Sequence, residues 1–185
     1  MEEWSSQFTP PEQPHTLRSY LNSLRHCIHH IAFMHTHRFA HLDISVRNVL
    51  TDYDGRYACI DYEMSRQFCR PPVEVEGGTK CSVLIHHSKA AEVPPEVEKG
   101  HLTSPYAMDV WALGMLMSKA ATSSGYDVPE LRSVTKGMLE PQWERRPSAM
   151  VVLRRFEEAI LNISERRSNS APHPSSTLTI PAVSS

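Results

Sequence analysis

Glycine and lysine are missing from the first part of this 185-residue chain, whose first glycine is Gly55 and whose first lysine is Lys80. A glycine-rich phosphate-binding loop of the G-x-G-x-x-G type needs several glycines close together. Such a loop is therefore excluded before residue 55, and a lysine that grips phosphate groups is excluded before residue 80.

Cysteines, long apolar runs and excess charge are also scarce. The four cysteines, at positions 27, 59, 69 and 81, form no CxxC pair, which argues against a zinc ribbon or a disulfide framework and favours a reducing, intracellular setting in the cytoplasm or nucleus. The longest apolar stretch, 110–117, is far shorter than the ~20 residues of a membrane span. A net charge of −2 argues against nucleic acid or an anionic membrane as the main partner. No secretory signal is visible at the N-terminus.

The pattern predicts a mostly α fold with a small β-hairpin, in three segments: a loose lead-in at 1–15, one domain at 16–166 and a disordered tail rich in Ser and Pro at 167–185. Thr16 is a suitable N-cap for a helix from Leu17 to about Arg38. The strands 49–50 and 57–60 flank Asp54-Gly55, a strong hairpin signal.

The second half predicts three helices after an irregular stretch at 64–103. Ser104-Pro105 begins a helix that is apolar nearly all round, which predicts a central buried element. The second helix starts near Pro129 and ends at about Leu139. Pro147 begins the third, which we expect to bury one face formed by Met150, Leu153, Phe156 and Ile160.

The segment His41–Asn48, followed after a short strand by Asp61-Tyr62-Glu63, is the most informative motif. It contains Asp43, Asn48 five residues later, and Asp61. Phosphoryl transfer from a nucleotide requires a carboxylate to receive the hydroxyl proton, with an amide and a second carboxylate to hold magnesium. The three side chains match that requirement.

On these residues the chain resembles the C-terminal lobe of the eukaryotic protein kinase superfamily. Its Asp-Ile-Ser segment resembles the kinase-like proteins that are numerous in fungi. The segment 41–48 is similar to the catalytic loop, 61–63 to the DFG triplet and 94–96 to the APE triplet. The segments 109–114 and 145–149 are similar to the buried helix that follows and to a late RPSA-like motif. The five motifs occur in the family's order across residues 16–163.

The resemblance implies ATP-dependent phosphorylation of protein hydroxyls, with ATP and Mg²⁺ as cofactors, and it favours the Ser/Thr type over tyrosine. Asp43 would accept the substrate proton, and Asn48 and Asp61 would bind the magnesium ion and so the nucleotide. Ser45 stands where Ser/Thr kinases have a lysine that touches the transferred phosphate, and Arg47 is a candidate substitute for it.

The resemblance also implies structural roles for four further residues. His41 would pack beneath the catalytic loop, and Asp109 would accept backbone hydrogen bonds from that loop. Glu96 and Arg146 would form a buried ion pair between the activation segment and the late helices.

Several positions depart from the family pattern and favour weak or absent catalysis. Leu42 replaces the usual arginine, Ser45 replaces the lysine and Glu63 replaces the DFG glycine. The glycine-rich loop and strand lysine of an N-terminal lobe are missing. Three explanations are a truncated gene model, a decayed kinase, or a lobe that serves as a binding module.

Other interpretations stay open at this point. The chain could be a non-catalytic pseudokinase or scaffold that binds a protein partner, or a relative of small-molecule kinases, which share the H-x-D-x-x-x-x-N arrangement. Asp43 and Asn48 could be a loop cap and a turn former, and Asp109 a residue favoured by the helix dipole. His26 and His30, one helical turn apart, could bind zinc, although no nearby carboxylate completes a set.

Overall fold

The computed structural model of the chain describes residues 16–52, 56–68 and 90–169. Within these ranges the chain forms five α-helices and two small antiparallel sheets, which confirms the predicted mostly α fold with a small β component. The elements are α1 (Leu17–Thr36), β1 (Phe39–Ala40), β2 (Val49–Thr51), β3 (Tyr57–Cys59), β4 (Arg66–Gln67), α2 (Pro95–Glu98), α3 (Pro105–Ser124), α4 (Pro129–Met138) and α5 (Ala149–Asn169).

Helix α1 begins as predicted, because the Thr16 hydroxyl accepts a hydrogen bond from the amide of Ser19 at 3.0 Å. Its buried face includes Leu24, Ile28 and Ile31, which recur at the three- to four-residue spacing of a packed helix. The helix ends at Thr36, two residues before the predicted end, because Arg38 adopts a φ of 66°, outside the helical region.

Two short antiparallel sheets lie between α1 and α2. The predicted hairpin is confirmed: Val49 pairs with Cys59 and Thr51 with Tyr57, while its turn at Asp54-Gly55 lies outside the described residues. Strands β1 and β4 form a second sheet, with Ala40 opposite Arg66. No pattern predicted this sheet, since strands of two residues are too short to show alternation.

Helix α3 is the central helix of the core. Ser104 caps it and Pro105 occupies its first turn, as predicted, and Gly125 ends it in a left-handed conformation with a φ of 70°. Leu113 and Leu116 are fully buried there, in a cluster that also contains residues of α1, α4 and α5. This packing makes α3 a rigid support for the loops that precede it.

The buried face of helix α5 differs from the prediction at one residue, Met150. Met150 is 45% exposed, and the fully or nearly fully buried positions are Ala149, Val152, Phe156 and Ala159. Phe156 is buried as predicted, and Leu153 and Ile160 are partly buried against the same core, so the prediction is wrong only at Met150. The small side chains of Ala149 and Ala159 allow close packing of this face.

The boundaries of the predicted segments are only partly described. The lead-in at 1–15 and residues 170–185 of the predicted tail lie outside the described residues. Helix α5 continues to Asn169, so the first three residues of the predicted tail are helical. Helix propagation adds a hydrogen bond for each further residue, and a helix therefore often extends past its last buried side chain. None of the helices in the described ranges has the length and apolar character required to cross a membrane.

Candidate functional site

The loop between β1 and β2 brings Asp43 and Asn48 into direct contact. The Nδ2 amide of Asn48 donates hydrogen bonds to Oδ2 of Asp43 at 2.9 Å and to the carbonyl oxygen of Asp43 at 2.8 Å. A 3₁₀ turn at Val46–Asn48 produces this approach, with the Asn48 amide donating to the Ser45 carbonyl at 3.1 Å. The Oδ1 atom of Asp43 accepts a further bond from the amide of Ala91 at 3.0 Å. Both oxygens of the Asp43 carboxylate are thus oriented.

Asp61 follows strand β3 and lies beside the same loop. The amide of the preceding residue, Ile60, donates to the carbonyl of Asn48 at 2.9 Å. Asp61 is exposed and has a φ of 64°, a left-handed conformation that aspartate adopts more readily than most residues. The structure therefore joins Asn48 directly to Asp43, and it brings the backbone before Asp61 next to Asn48.

Ser45 and Arg47 differ in their exposure to solvent. Ser45 is 3% exposed, whereas Arg47 is exposed. A buried neutral hydroxyl offers a phosphate little electrostatic stabilisation. Of these two residues, only Arg47 has a charge accessible to a ligand.

Asp109 is the residue that holds the backbone of the loop. Its Oδ2 atom accepts from the amide of His41 at 2.7 Å and its Oδ1 atom from the amide of Leu42 at 2.8 Å, as the resemblance implies. Leu42 has a φ of 66°. The Asp109 carboxylate therefore provides hydrogen-bond acceptors for the buried amides of His41 and Leu42, at the point where Leu42 adopts a left-handed conformation.

His35 is a third partner of Asp109 that sequence reasoning missed. Its Nε2 atom donates to Oδ2 of Asp109 at 2.9 Å, and its ring packs edge-on against Tyr106 at 4.9 Å. The signal was present, since His35 occupies a position on the apolar face of α1 where a histidine needs a buried acceptor. The three bonds connect α1, α3 and the loop through one carboxylate.

His41 is buried between the loop and the second motif. Its ring centroid lies 5.0 Å from that of Tyr62, and its carbonyl accepts a hydrogen bond from the Ser65 hydroxyl at 3.2 Å. Its Nδ1 atom has no hydrogen-bond partner among the described residues. His41 thus packs beneath the loop and against the residues that follow Asp61.

Glu96 and Arg146 form a buried, two-pronged ion pair. The guanidinium donates to the two oxygens of Glu96 at 2.7 and 2.8 Å, and also to the carbonyls of Glu140 and Ala107. The Thr103 hydroxyl donates to the same carboxylate at 3.0 Å, a contact that the sequence did not suggest. The predicted pair is present and connects α2 to α3 and to the turn before α5.

The histidines of α1 use their rings within the chain. His26 packs against Tyr57 with centroids 5.7 Å apart, and Nε2 of His30 lies 3.1 Å from the Tyr62 hydroxyl. Burial, and to a lesser degree His41, lower the pKa of His30. No cluster of three or more His, Cys, Asp or Glu side chains able to hold a metal occurs in the described ranges, so the zinc alternative for His26 and His30 is not supported.

The donor chemistry of the trio fits magnesium. Asn48 uses its amide nitrogen toward Asp43, and these two bonds leave its amide oxygen for another ligand. Asp61 adds an exposed carboxylate. Oxygen atoms of amides and carboxylates are the ligands that Mg²⁺ prefers, usually with several waters and substrate phosphates completing the shell.

Comparison with known proteins gives partial matches to protein kinases. No family model matches the chain. A serine/threonine-protein kinase of Candida glabrata is 25% identical over 53% of the chain and 15% of its own length. A bifunctional serine/threonine-protein kinase/NEDD4-like E3 ubiquitin-protein ligase of Dictyostelium discoideum is 28% identical over 48% of the chain and 4% of its own length. The maternal embryonic leucine zipper kinase of Danio rerio is 29% identical over 50% and 13%.

These partial matches indicate a kinase-like relationship. The alignments cover about half of the chain but no more than 15% of each of these relatives. The relatives' activities are therefore a basis for a proposal about this chain.

Proposed function

We propose that the chain is a kinase-like C-terminal lobe, related to the kinase-like proteins of fungi, that carries the substrate-side half of an ATP-dependent Ser/Thr protein kinase site. The observation that carries the proposal is the pair of hydrogen bonds from Asn48 to Asp43, inside a loop whose amides are held by Asp109. A loop cap or turn former does not require a buried carboxylate from a distant helix to hold the loop.

In this proposal Asp43 orients a protein hydroxyl and receives its proton during transfer. Its carboxylate is half-buried and oriented by Asn48 on one oxygen and by the amide of Ala91 on the other. A preoriented acceptor needs little rearrangement when the proton moves. Asn48 and Asp61 would hold magnesium, which would offset the charge on the ATP phosphates.

The residues around the loop favour slow transfer by this chain alone. The buried, neutral Ser45 gives no charge to a transferred phosphate. This feature favours a second candidate, a non-catalytic lobe that binds a protein partner. Either candidate places the chain in the cytoplasm or nucleus, with a protein substrate or protein partner rather than nucleic acid or a membrane.

Transfer of labelled phosphate from ATP to a generic protein substrate, in the presence of Mg²⁺, tests the catalytic proposal. Asp43→Ala should lower the rate by about 10²- to 10⁴-fold, the usual contribution of a general base. Asp127→Ala is the matched control, because Asp127 is exposed in the connection between α3 and α4 and pairs with Arg132 of α4, so it should keep the wild-type rate.

Equal rates for the wild type and the Asp43→Ala variant would remove Asp43 from its assigned role. Absence of transfer by a folded wild-type chain would instead support the non-catalytic candidate. Mg²⁺-dependent binding of ATP, measured by calorimetry, then separates the metal site from catalysis. Asp61→Asn should weaken that binding if Asp61 is a ligand.

A further inference from the structure

Two side-chain contacts hold helix α1 against strand β3 and the residues that follow it, near a pair of cysteines. His26 packs against Tyr57 with ring centroids 5.7 Å apart, and His30 contacts the Tyr62 hydroxyl at 3.1 Å. Cys27 follows His26 on the helix, and Cys59, the last residue of β3, lies between the two tyrosines in sequence. The two backbone segments are therefore fixed beside each other where the cysteines lie.

The two thiols are in contact across this interface. Both cysteines are free, Cys27 is 2% exposed within the core, and the half-buried Cys59 packs against the same core. Their side chains are hydrogen-bonded to each other. The carbonyl of Cys59 also accepts a bond from the Tyr62 hydroxyl at 2.9 Å, which restrains its backbone. Thiols that are hydrogen-bonded across packed backbone segments are close enough for oxidation to join them with little movement of the chain.

We propose that Cys27 and Cys59 are a thiol oxidation site that forms a reversible intramolecular disulfide when the protein meets a hydroperoxide. The Cys59 sulfur, which is the more exposed, attacks the peroxide O–O bond and becomes a sulfenic acid, releasing water from hydrogen peroxide or an alcohol from an organic peroxide. The Cys27 sulfur then displaces hydroxide from the sulfenic acid, which leaves as water with the thiol proton. The two thiols lose two electrons, and the peroxide gains them.

The disulfide would connect α1 to the end of β3, two residues before Asp61. At present only non-covalent contacts hold this strand end, among them the bond from Ile60 to Asn48. A covalent bond removes conformations from the unfolded chain and restrains the backbone that carries Asp61. The inference does not depend on phosphoryl transfer, since it concerns only the packing of α1 and β3.

Peptide mapping of the full-length chain tests the proposal directly. Trypsin places Cys27 in the peptide 26–38 and Cys59 in the peptide 57–66, while Cys69 and Cys81, which lie outside the described residues, fall in two other peptides. After treatment with hydrogen peroxide, blocking of free thiols and digestion without reductant, the peptides 26–38 and 57–66 should be linked. Dithiothreitol should separate them.

Three controls make the result decisive. The linked species should persist in a Cys69→Ser/Cys81→Ser variant and be absent after Cys27→Ser or Cys59→Ser. A sample unfolded in urea should give mixed pairings among the four cysteines. The proposal is overturned if the folded protein gives the same mixture, if both thiols stay open to alkylation, or if Cys59 passes to sulfinic acid without linking. Because the wild-type map alone gives these outcomes, a variant that fails to fold does not affect the test.

Discussion

Replacement of Arg146 by alanine is the sharpest test of how this fold is held together. The side chain is 0% exposed, and its guanidinium donates to both oxygens of Glu96 and to two backbone carbonyls. The substitution would leave the Glu96 carboxylate inside the protein with Thr103 as its remaining partner among these contacts. An unpaired charge in the interior is one of the most destabilising changes that a single substitution can make.

The expected cost follows from that geometry. Removing one partner of a buried ion pair typically costs ~3–5 kcal/mol, because the other charge stays desolvated. For a chain of this size, each kcal/mol shifts the Tm by ~2–4 °C. We therefore expect Arg146→Ala to lower the Tm by ~6–20 °C. The Tm of Arg146→Lys should lie between those of the wild type and Arg146→Ala, because lysine keeps the charge but loses the two-pronged hydrogen bonding to Glu96.

Thermal and urea unfolding measure this effect, and Arg145→Ala is the matched control. Arg145 is the preceding residue and is exposed, so its loss should change the stability by no more than ~0.5 kcal/mol. A double variant, Glu96→Gln/Arg146→Ala, should recover part of the lost stability because the orphaned charge is removed. An Arg146→Ala protein with an unchanged Tm would show that the pair does not stabilise the fold.

Three further predictions concern the loop, the pH response and the core. Asp109→Asn should lower the free energy of unfolding, measured in urea, by ~2–3 kcal/mol, because an amide NH₂ group would replace one carboxylate oxygen that accepts a hydrogen bond from a backbone N–H. An unchanged urea midpoint would contradict the hydrogen bonds assigned to Asp109. The lowered pKa of His30 means that the unfolded chain binds more protons below the ordinary value of 6.5. Stability should therefore be complete above pH 6.5 and decline as the pH falls below it, with a smaller decline in His30→Gln. Gly114→Ala should lower the free energy of unfolding by ~1 kcal/mol or more, because its new Cβ would lie 3.0 Å from Met138 Cβ. Gly137→Ala, whose new Cβ has its nearest contact at 3.8 Å, should raise the free energy of unfolding by ~0.5–1 kcal/mol. Calorimetry that gave both substitutions the same sign would contradict this prediction.

Strong local signals account for the parts of the fold that sequence reasoning predicted. The Thr16 and Ser104 caps, the apolar face of α1 and the hairpin each depend on residues close together in the chain. The sheet of β1 and β4 could not be predicted in this way, because it joins two-residue strands that are far apart in sequence. The prediction for Met150 was wrong because the residues that pack against α5 are far from it in sequence, and they decide which of its side chains are buried.

The residues of the candidate site also differ in whether a local sequence motif identifies them. Asp43, Asn48 and Asp61 could be named because a motif specifies their order and spacing, and the ion pair of Glu96 and Arg146 because the resemblance implies it. His35 was missed, because no motif contains it. A histidine at such a position reveals its partner only after α1 and α3 are packed together, and Asp109 lies 74 residues away.

Stability and the proposed chemistry therefore depend on different residues in this molecule. Asp109, His35 and the ion pair are buried, and their loss acts on folding. Asp61 is exposed and Asp43 and Asn48 are half-buried, so their substitution removes little packing. In the second group Asn48 contacts Asp43, and the amide before Asp61 donates to the Asn48 carbonyl, which supports the proposed phosphoryl-transfer site. The buried, neutral Ser45 favours slow transfer at that site, so the two candidate functions are separated by measured transfer rather than by stability.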